Sequence, residues 1–236
     1  MSVSVCVSTF GEERWAELAR SRAIPSAEGQ GVEVVFTHMP EGSVALARNA
    51  SAEQASGEWL VFLDADDELS STYVREMLNA VAVQQIATDQ VPSTTLFTPA
   101  VSYCVDGRAQ APKFWPVVPY QDANWMVVGT MISREWFHEL GGFRNYGDPP
   151  GSNAYEDWGL WALAQREGST VVKVPDAVYV AWVTQDSRHR GSDHATRVGW
   201  HFEIGRDLFG EERYPDDWVA RQGRPRRAAA TARRRR

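Results

Sequence analysis

At 236 residues and 26.4 kDa the chain has room for one large domain and a short appendage, at roughly 150 residues per domain. A composition of 43% hydrophobic, 23% charged and 11% aromatic residues excludes disorder, collagen and coiled coil for its bulk. The net charge of -7 conceals an asymmetry, because residues 221–236 hold eight arginines and no acid, leaving the body at -15. An acidic body argues against a wide nucleic-acid footprint, whereas the basic tail, which reads as a solvated end, can touch nucleic acid or another polyanion. No apolar stretch approaches the roughly 18 residues of a transmembrane segment, and the N-terminus lacks the basic start of a signal peptide. The expected location is therefore cytoplasmic. Cys6 and Cys104 are too few and too widely spaced for a disulfide framework or a zinc site, and are expected as buried thiols.

In chain order, Val3 to Ser8 reads as a strand, Arg14 to Ala23 as a helix, Val32 to Thr37 as a strand and Ser43 to Ser56 as a helix capped by Ser43. Trp59 to Leu63 is a strand apolar on both faces, and Ser71 to Val83 a helix. This alternation implies a largely parallel sheet covered by helices, because parallel neighbours need crossover connections. From about residue 92 the pattern changes. Thr94 to Val105 and an Asp106-Gly107 turn suggest a hairpin or an irregular excursion, followed by the proline-rich stretch Pro112 to Pro119. Trp125 to Ser133 reads as a strand leading to a short helix that ends near Gly141-Gly142. After a Gly/Asn/Asp/Pro loop come the helix Tyr155 to Glu167, the strands Thr170 to Pro175 and Ala177 to Val183, and a helix around His194 to Phe209. The expectation is a single α/β domain over residues 1–220, with halves 1–91 and 92–220 and a basic tail at 221–236.

The most informative segment is Leu63-Asp64-Ala65-Asp66-Asp67 at the end of the third strand. Ligands of open α/β sheets sit outside the carboxyl ends of the strands. Residues i and i+2 of extended chain face one side, so Asp64 and Asp66 can point together while Ala65 keeps the turn slim. Two carboxylates so close repel unless a cation lies beside them, and Mg2+ or Mn2+ takes one or two carboxylates plus substrate phosphates. The same string also suits a solvated turn capping the next helix. Glu156 and Asp157 open another helix, where first-turn acids complement the helix dipole by about 0.3 to 1 kcal/mol.

The run from Leu46-Ala47-Arg48-Asn49-Ala50 through Ala55-Ser56-Gly57-Glu58-Trp59 to Asp64-Ala65-Asp66-Asp67 resembles the segment around the D-x-D motif of family-two glycosyltransferases with the GT-A fold. The opening Val3 to Phe10 is similar to that family's first strand. Gly141-Gly142-Phe143 followed by Tyr155-Glu156-Asp157-Trp158 resembles its acceptor-side loop and E-D motif, and Asp186-Ser187-Arg188-His189-Arg190-Gly191-Ser192 its late phosphate-closing loop. The resemblance implies a metal-dependent inverting transferase using a nucleotide-diphosphate sugar, on a Rossmann-like, mostly parallel mixed sheet. Residues 1–91 would bind the donor and 92–220 the acceptor.

Carried over residue by residue, the resemblance sets Ser8, Thr9, Phe10, Glu12, His38, Arg48, Asp64, Ala65 and Asp66 around the nucleotide-sugar. It sets Asp64, Asp66 and His189 around Mn2+ or Mg2+, and Trp158 and Gly142 beside the acceptor. It makes Asp157 the base, with Glu156 the runner-up. The base must take the acceptor hydroxyl's proton as attack proceeds, and the helix dipole is expected to keep Asp157 ionised with a lowered pKa. One departure stands out: the family's uracil-reading Asp pair after the second strand is replaced by Thr37-His38, and neither accepts hydrogen bonds as a carboxylate does. UDP is favoured by family habit, with GDP and dTDP open. The acceptor hydroxyl, on protein, glycan, metabolite or modified nucleobase, is unspecified. The alternative is a sugar-nucleotide-binding or nucleic-acid-associated module without transferase activity. A sugar-nucleotide pyrophosphorylase fits less well, because the loop after the first strand, Gly11-Glu12-Glu13, is acidic where a basic phosphate loop belongs.

Overall fold

The computed structural model describes residues 1–89, 92–147, 151, 154–183 and 193–219. His189 with the loop 184–192, and the basic tail, lie outside the described residues. Strand β3 (Trp59–Leu63) is apolar on both faces, β1 (Val3–Phe10) sets Val3, Val5 and Val7 on one face and Ser4, Cys6 and Ser8 on the other, and both are almost wholly buried, as central strands must be. β2 (Glu33–Met39) pairs in parallel on one side of β1 and β3 on the other. A short β7 (Ile132–Ser133) closes the far edge antiparallel to β3, giving the order β2-β1-β3-β7.

A second sheet, β4-β8-β5-β6, combines β4 (Glu68–Leu69), β5 (Leu96–Val105), β6 (Arg108–Ala109) and β8 (Val171–Trp182). β5 and β8 run parallel, while β4 and β6 pair antiparallel at the edges. The expected single central sheet is thus two four-stranded sheets, joined by a bridge between Phe97 and Met131. The two halves interlock, since β4 of the first half completes the second sheet and β7 of the second half completes the first.

The helix read over Arg14 to Ala23 forms as α1 (Glu13–Ser21), and a second, unanticipated helix, α2 (Ala23–Glu28), follows it, with Arg22 at φ -129° and ψ -71° between them. A continuous helix would bury Pro25 in its interior, where the ring clashes with a preceding carbonyl; restarting at Ala23 puts Pro25 in a first turn, which tolerates it. Helix α3 (Val44–Gln54) is capped as expected, the Ser43 Oγ accepting from Leu46 N at 3.3 Å. Helices α4 (Tyr73–Thr88), α5 (Arg134–Glu139), α6 (Glu156–Arg166) and α7 (His194–Arg213) follow, the last broken at Gly210, φ 78°.

The hairpin turn at Asp106-Gly107 has both residues at positive φ, 50° and 75°, the twist that two-residue hairpins favour. Of the strand expected over Trp125 to Ser133, only Ile132–Ser133 forms. The preceding chain is buried but irregular: Thr130 N donates to the Val127 carbonyl at 2.9 Å to close a turn, in which Gly129 presses against the Tyr179 ring, where a Cβ would collide, and its carbonyl accepts from the Tyr73 hydroxyl. The two strands expected around Pro175 are one, β8, with a bulge. Pro99 pairs with Val174 and Ala100 with Val178, so residues 175–177 loop out where Pro175 has no ladder bond to give. Both cysteines are buried and unpaired, and burial pushes the Cys6 thiol up to about 12.

Candidate active site

The carboxyl ends of β1 and β3, the first turn of α6 and the ends of β5 and β8 enclose a cavity of about 720 Å³. It is lined by Ser8, Thr9, Phe10, Arg48, Asp64, Ala65, Asp66, Glu156 and Asp157, nine of the residues picked out from sequence, and by Asp67, Trp15, Tyr103, Trp115, Tyr179 and Trp182. Two carboxylate stations far apart in sequence therefore face one space.

Arg48 joins them. Its guanidinium, only 5% exposed, donates from Nη2 to Asp64 Oδ1 at 2.5 Å and from Nη1 to Glu156 Oε1 at 2.6 Å, and lies over the Phe143 ring. Burial works against its charge, but Asp64 and Glu156 outweigh that and hold it above the ordinary arginine value. The second oxygen of Glu156, Oε2, is buried without a hydrogen-bond partner among the described residues.

The aspartate turn is crowded with like charge. Burial, then the Asp64 charge, raises Asp66 to about 6, partly offset by Arg22, which also donates to the Asp66 carbonyl at 2.9 Å. Asp67 is raised as well, by burial and by Asp66 and Asp64, although it accepts from Trp182 N at 2.8 Å. Tyr179, 1% exposed, puts its hydroxyl between Asp64 N, which donates to it at 3.3 Å, and Asp67.

On the opposite station, Asp157 is half-buried at the start of α6. Its Oδ2 accepts from Asn124 Nδ2 at 3.0 Å and its Oδ1 from Trp158 N at 2.7 Å. Burial, with Glu156 beside it, lifts Asp157 to about 7 against the pull of Arg48. The expected lowering by the helix dipole is therefore overturned, because desolvation is the larger effect here.

Other picked residues take different places. Ser8 Oγ is bonded to Ser51 Oγ at 2.8 Å, and Thr9 Oγ1 to His38 Nδ1 at 2.9 Å, with Glu13 3.4 Å from the other nitrogen of His38. His38 thus holds Thr9 from behind and is outside the cavity wall. Glu12 is exposed and pairs with Arg14 at 3.1 Å, away from the cavity. Trp158 is 2% exposed, donates to the Tyr120 carbonyl at 2.9 Å and stacks on His201 at 4.2 Å, which makes it core rather than a sugar platform. Gly142, at φ 70°, packs against Asn49, whose Oδ1 accepts from Phe143 N and whose Nδ2 donates to the Phe143 carbonyl. It positions the loop and does not reach the cavity. Asn124, Tyr179 and the aromatic lining were missed, because each reaches the site through contacts across the fold that leave no local pattern.

Residues 4–96 match the family model described as Glycosyl transferase family 2. Nothing among the curated proteins matches the chain. By fold the chain resembles S. aureus TarS 1-349 in complex with UDP-GlcNAc, with a TM-score of 0.59, 15% identity, and 94% of this chain and 71% of that one covered. The same protein in complex with UDP matches at TM-score 0.56 and 18% identity over 94% and 70% of the two chains, and the longer TarS structure is spanned over 41% of its length. GalNAc-T7 with UDP, GalNAc and Mn2+ gives a TM-score of 0.59, 15% identity, and coverage of 94% and 50%. The GT-A resemblance read from the motifs is borne out. Among the described residues no helix is long and apolar enough to cross a membrane.

Proposed function

We propose that this chain, a glycosyltransferase fold of GT-A type carrying the family-two pattern over residues 4–96, moves a sugar from a nucleotide-diphosphate sugar to an acceptor hydroxyl. A UDP-sugar is the first candidate donor, in keeping with the UDP and UDP-GlcNAc named for two of the similar structures. The observation that carries the reading is the buried Arg48 bridge, which draws the aspartate turn and the first turn of α6 onto one cavity. Residues 1–91 contribute the donor side of that cavity and residues 92–220 the acceptor side.

The transfer is a single displacement. The acceptor oxygen bonds to the anomeric carbon as the bond from that carbon to the diphosphate oxygen breaks, and the hydroxyl proton passes to Asp157. Inversion follows from attack opposite the leaving group. A base raised to about 7 is matched to neutral pH, and the bonds from Asn124 and Trp158 N fix both its oxygens. Thr9 and Phe10 at the end of β1 flank the nucleotide, while Arg48 keeps Asp64 and Glu156 from rotating away.

The acidic turn suits a divalent cation. The described residues contain no cluster of three protein ligands, but Mg2+ and Mn2+ are commonly held by one or two carboxylates and the substrate's phosphates. Asp64 and Asp66 would hold it, and a cation there would offset the burial, and then the Asp64 charge, that raise Asp66. Bound there, such an ion supplies positive charge for the departing diphosphate. Mn2+ in the GalNAc-T7 structure is in keeping with this.

The test is a thermal-shift series with UDP-, GDP- and dTDP-sugars, each with Mn2+ and with chelator, since a ligand that binds only the folded state raises Tm. Stabilisation by one nucleotide series, greater with Mn2+, is expected. No shift with any of them would sink the proposal, and a shift without donor turnover would leave a binding module.

A further inference from the structure

The wall of the cavity formed by the second sheet has a chemistry of its own. At the ends of β5 and β8 Tyr103 pairs with Ala181 and Cys104 with Trp182, so Tyr103 shares the cavity face of the sheet with Val101, Tyr179 and Ala181, and the Trp182 ring lies on the other face. Trp115 reaches Tyr103 from the proline-rich excursion and donates its Nε1 to the Tyr103 hydroxyl at 2.9 Å. The Trp182 Nε1 donates to Glu68 Oε2 at 2.8 Å, and the Arg22 guanidinium lies 4.2 Å from the centroid of that ring. The Trp115 N–H is thus consumed inside the protein, and its indole presents the cavity with carbon surface only. The Tyr103 hydroxyl accepts from Trp115 and, among the described residues, has no acceptor for its own proton.

The same cavity contains the opposite chemistry. Glu156, 6% exposed, carries the buried Oε2 that has no partner, and Asp157 stands next to it. A ligand that satisfies both kinds of wall has an apolar C–H face and a rim of hydroxyls. A hydrocarbon or an aromatic aglycone would cover the rings but leave the carboxylate oxygen unpaired in a dry site, a cost comparable to a lost hydrogen bond.

We propose that Tyr103 and Trp115 form the acceptor subsite and that its occupant is a saccharide, one pyranose ring lying on the aromatic faces with its hydroxyl rim toward Glu156. This assigns a glycan, rather than a protein side chain or a nucleobase, as the acceptor class, and it rests on the transferase reading above. It also relocates acceptor stacking from Trp158, which is core, to two rings from the second half of the chain.

The experiment is saturation-transfer NMR on the full chain with UDP and Mn2+ present, using cellobiose, lactose and chitobiose as saccharide probes and p-cresol and n-octanol as aglycone probes. Transfer to the C–H protons of at least one disaccharide is expected. Trp115→Ala should weaken that disaccharide at least tenfold, while Trp115→Phe, which keeps a ring face, should restore most of the binding. The UDP thermal shift of Trp115→Ala reports separately that the donor side is folded and intact. Disaccharide binding unchanged in Trp115→Ala, displacement of the disaccharide by p-cresol or n-octanol at lower concentration, or absence of any disaccharide signal while UDP binds would overturn the inference and leave the donor reading standing. Failure of UDP itself to bind would instead strike the donor reading.

Discussion

Asp157 is raised by burial to about 7, so its charged form, the one able to accept a proton, accumulates as pH climbs through that value. Transfer should therefore rise with pH on a limb centred near 7 and level off above it, measured as kcat/KM across pH 5.5 to 9 at saturating Mn2+. Asp157→Asn keeps the shape but accepts no proton, and a fall of roughly 100-fold or more in kcat is expected, in the range of lost acid–base catalysis. The same shift has a sign in stability. With its folded pKa above the unfolded one, Asp157 binds more protons when folded between about pH 4 and 7, so stability falls as pH rises through that window. Asp157→Asn removes this loss and should melt at or above the native chain at pH 8; a lower Tm there would show that the carboxylate stabilises the fold. Arg48 behaves oppositely. Arg48→Met strands two carboxylates, one of them deeply buried, and should cost about 3 to 5 kcal/mol in urea denaturation. Sequence alone exposed Arg48 and Asp64 as holders of the nucleotide and Glu156 as runner-up to the base, each on its own. Their bonding to one another, 108 positions apart for Arg48 and Glu156, is a product of chain crossing that no periodicity records.

At the scale of elements, sequence and structure agree where the signal is local. The alternation of strand and helix to residue 88, the Ser43 cap and the Asp106-Gly107 turn were all legible because each rests on neighbours in the chain. They diverge where packing overrides propensity. Residues 125–128 have the apolar character of a strand, yet they lead into a turn closed by Thr130 N on the Val127 carbonyl, where Gly129 is pressed against Tyr179, and so they line the core irregularly. The same contact links structure to chemistry. Tyr179 carries the hydroxyl that joins Asp64 N to Asp67, so displacing its ring should loosen the aspartate turn. Gly129→Ala should lower Tm and weaken nucleotide-sugar binding together, whereas Ser43→Ala, remote from Tyr179, should cost only about 1 kcal/mol of stability through the lost cap. If donor titration of Gly129→Ala gave native affinity, Tyr179 would have no part in setting the turn.

For the whole molecule, the division into a donor half and an acceptor half describes the cavity but not the folding unit. β7, from the second half, pairs with Trp59 and Leu60 at the edge of β3, and without it that buried apolar strand would present unpaired backbone. β4, from the first half, is only two residues long and its strand partner is β8, so residues 1–91 leave it without a ladder, tied by the Leu69 N bond to Ser26 Oγ at 3.2 Å. Arg48 adds a buried charge whose second partner, Glu156, also lies across the division. A fragment of residues 1–91 would therefore lose an edge strand, the partner of β4 and half of a buried ion pair at once. Expressed separately, it should give the poorly dispersed NMR spectrum of a chain without fixed packing, and the full chain should unfold in one calorimetric step with equal van't Hoff and calorimetric enthalpies. Two resolved transitions, or a dispersed spectrum from residues 1–91, would mean that the first sheet is complete without β7. In that case the cavity would be an interface between independent bodies, and the Arg48 bridge a contact formed after folding rather than with it.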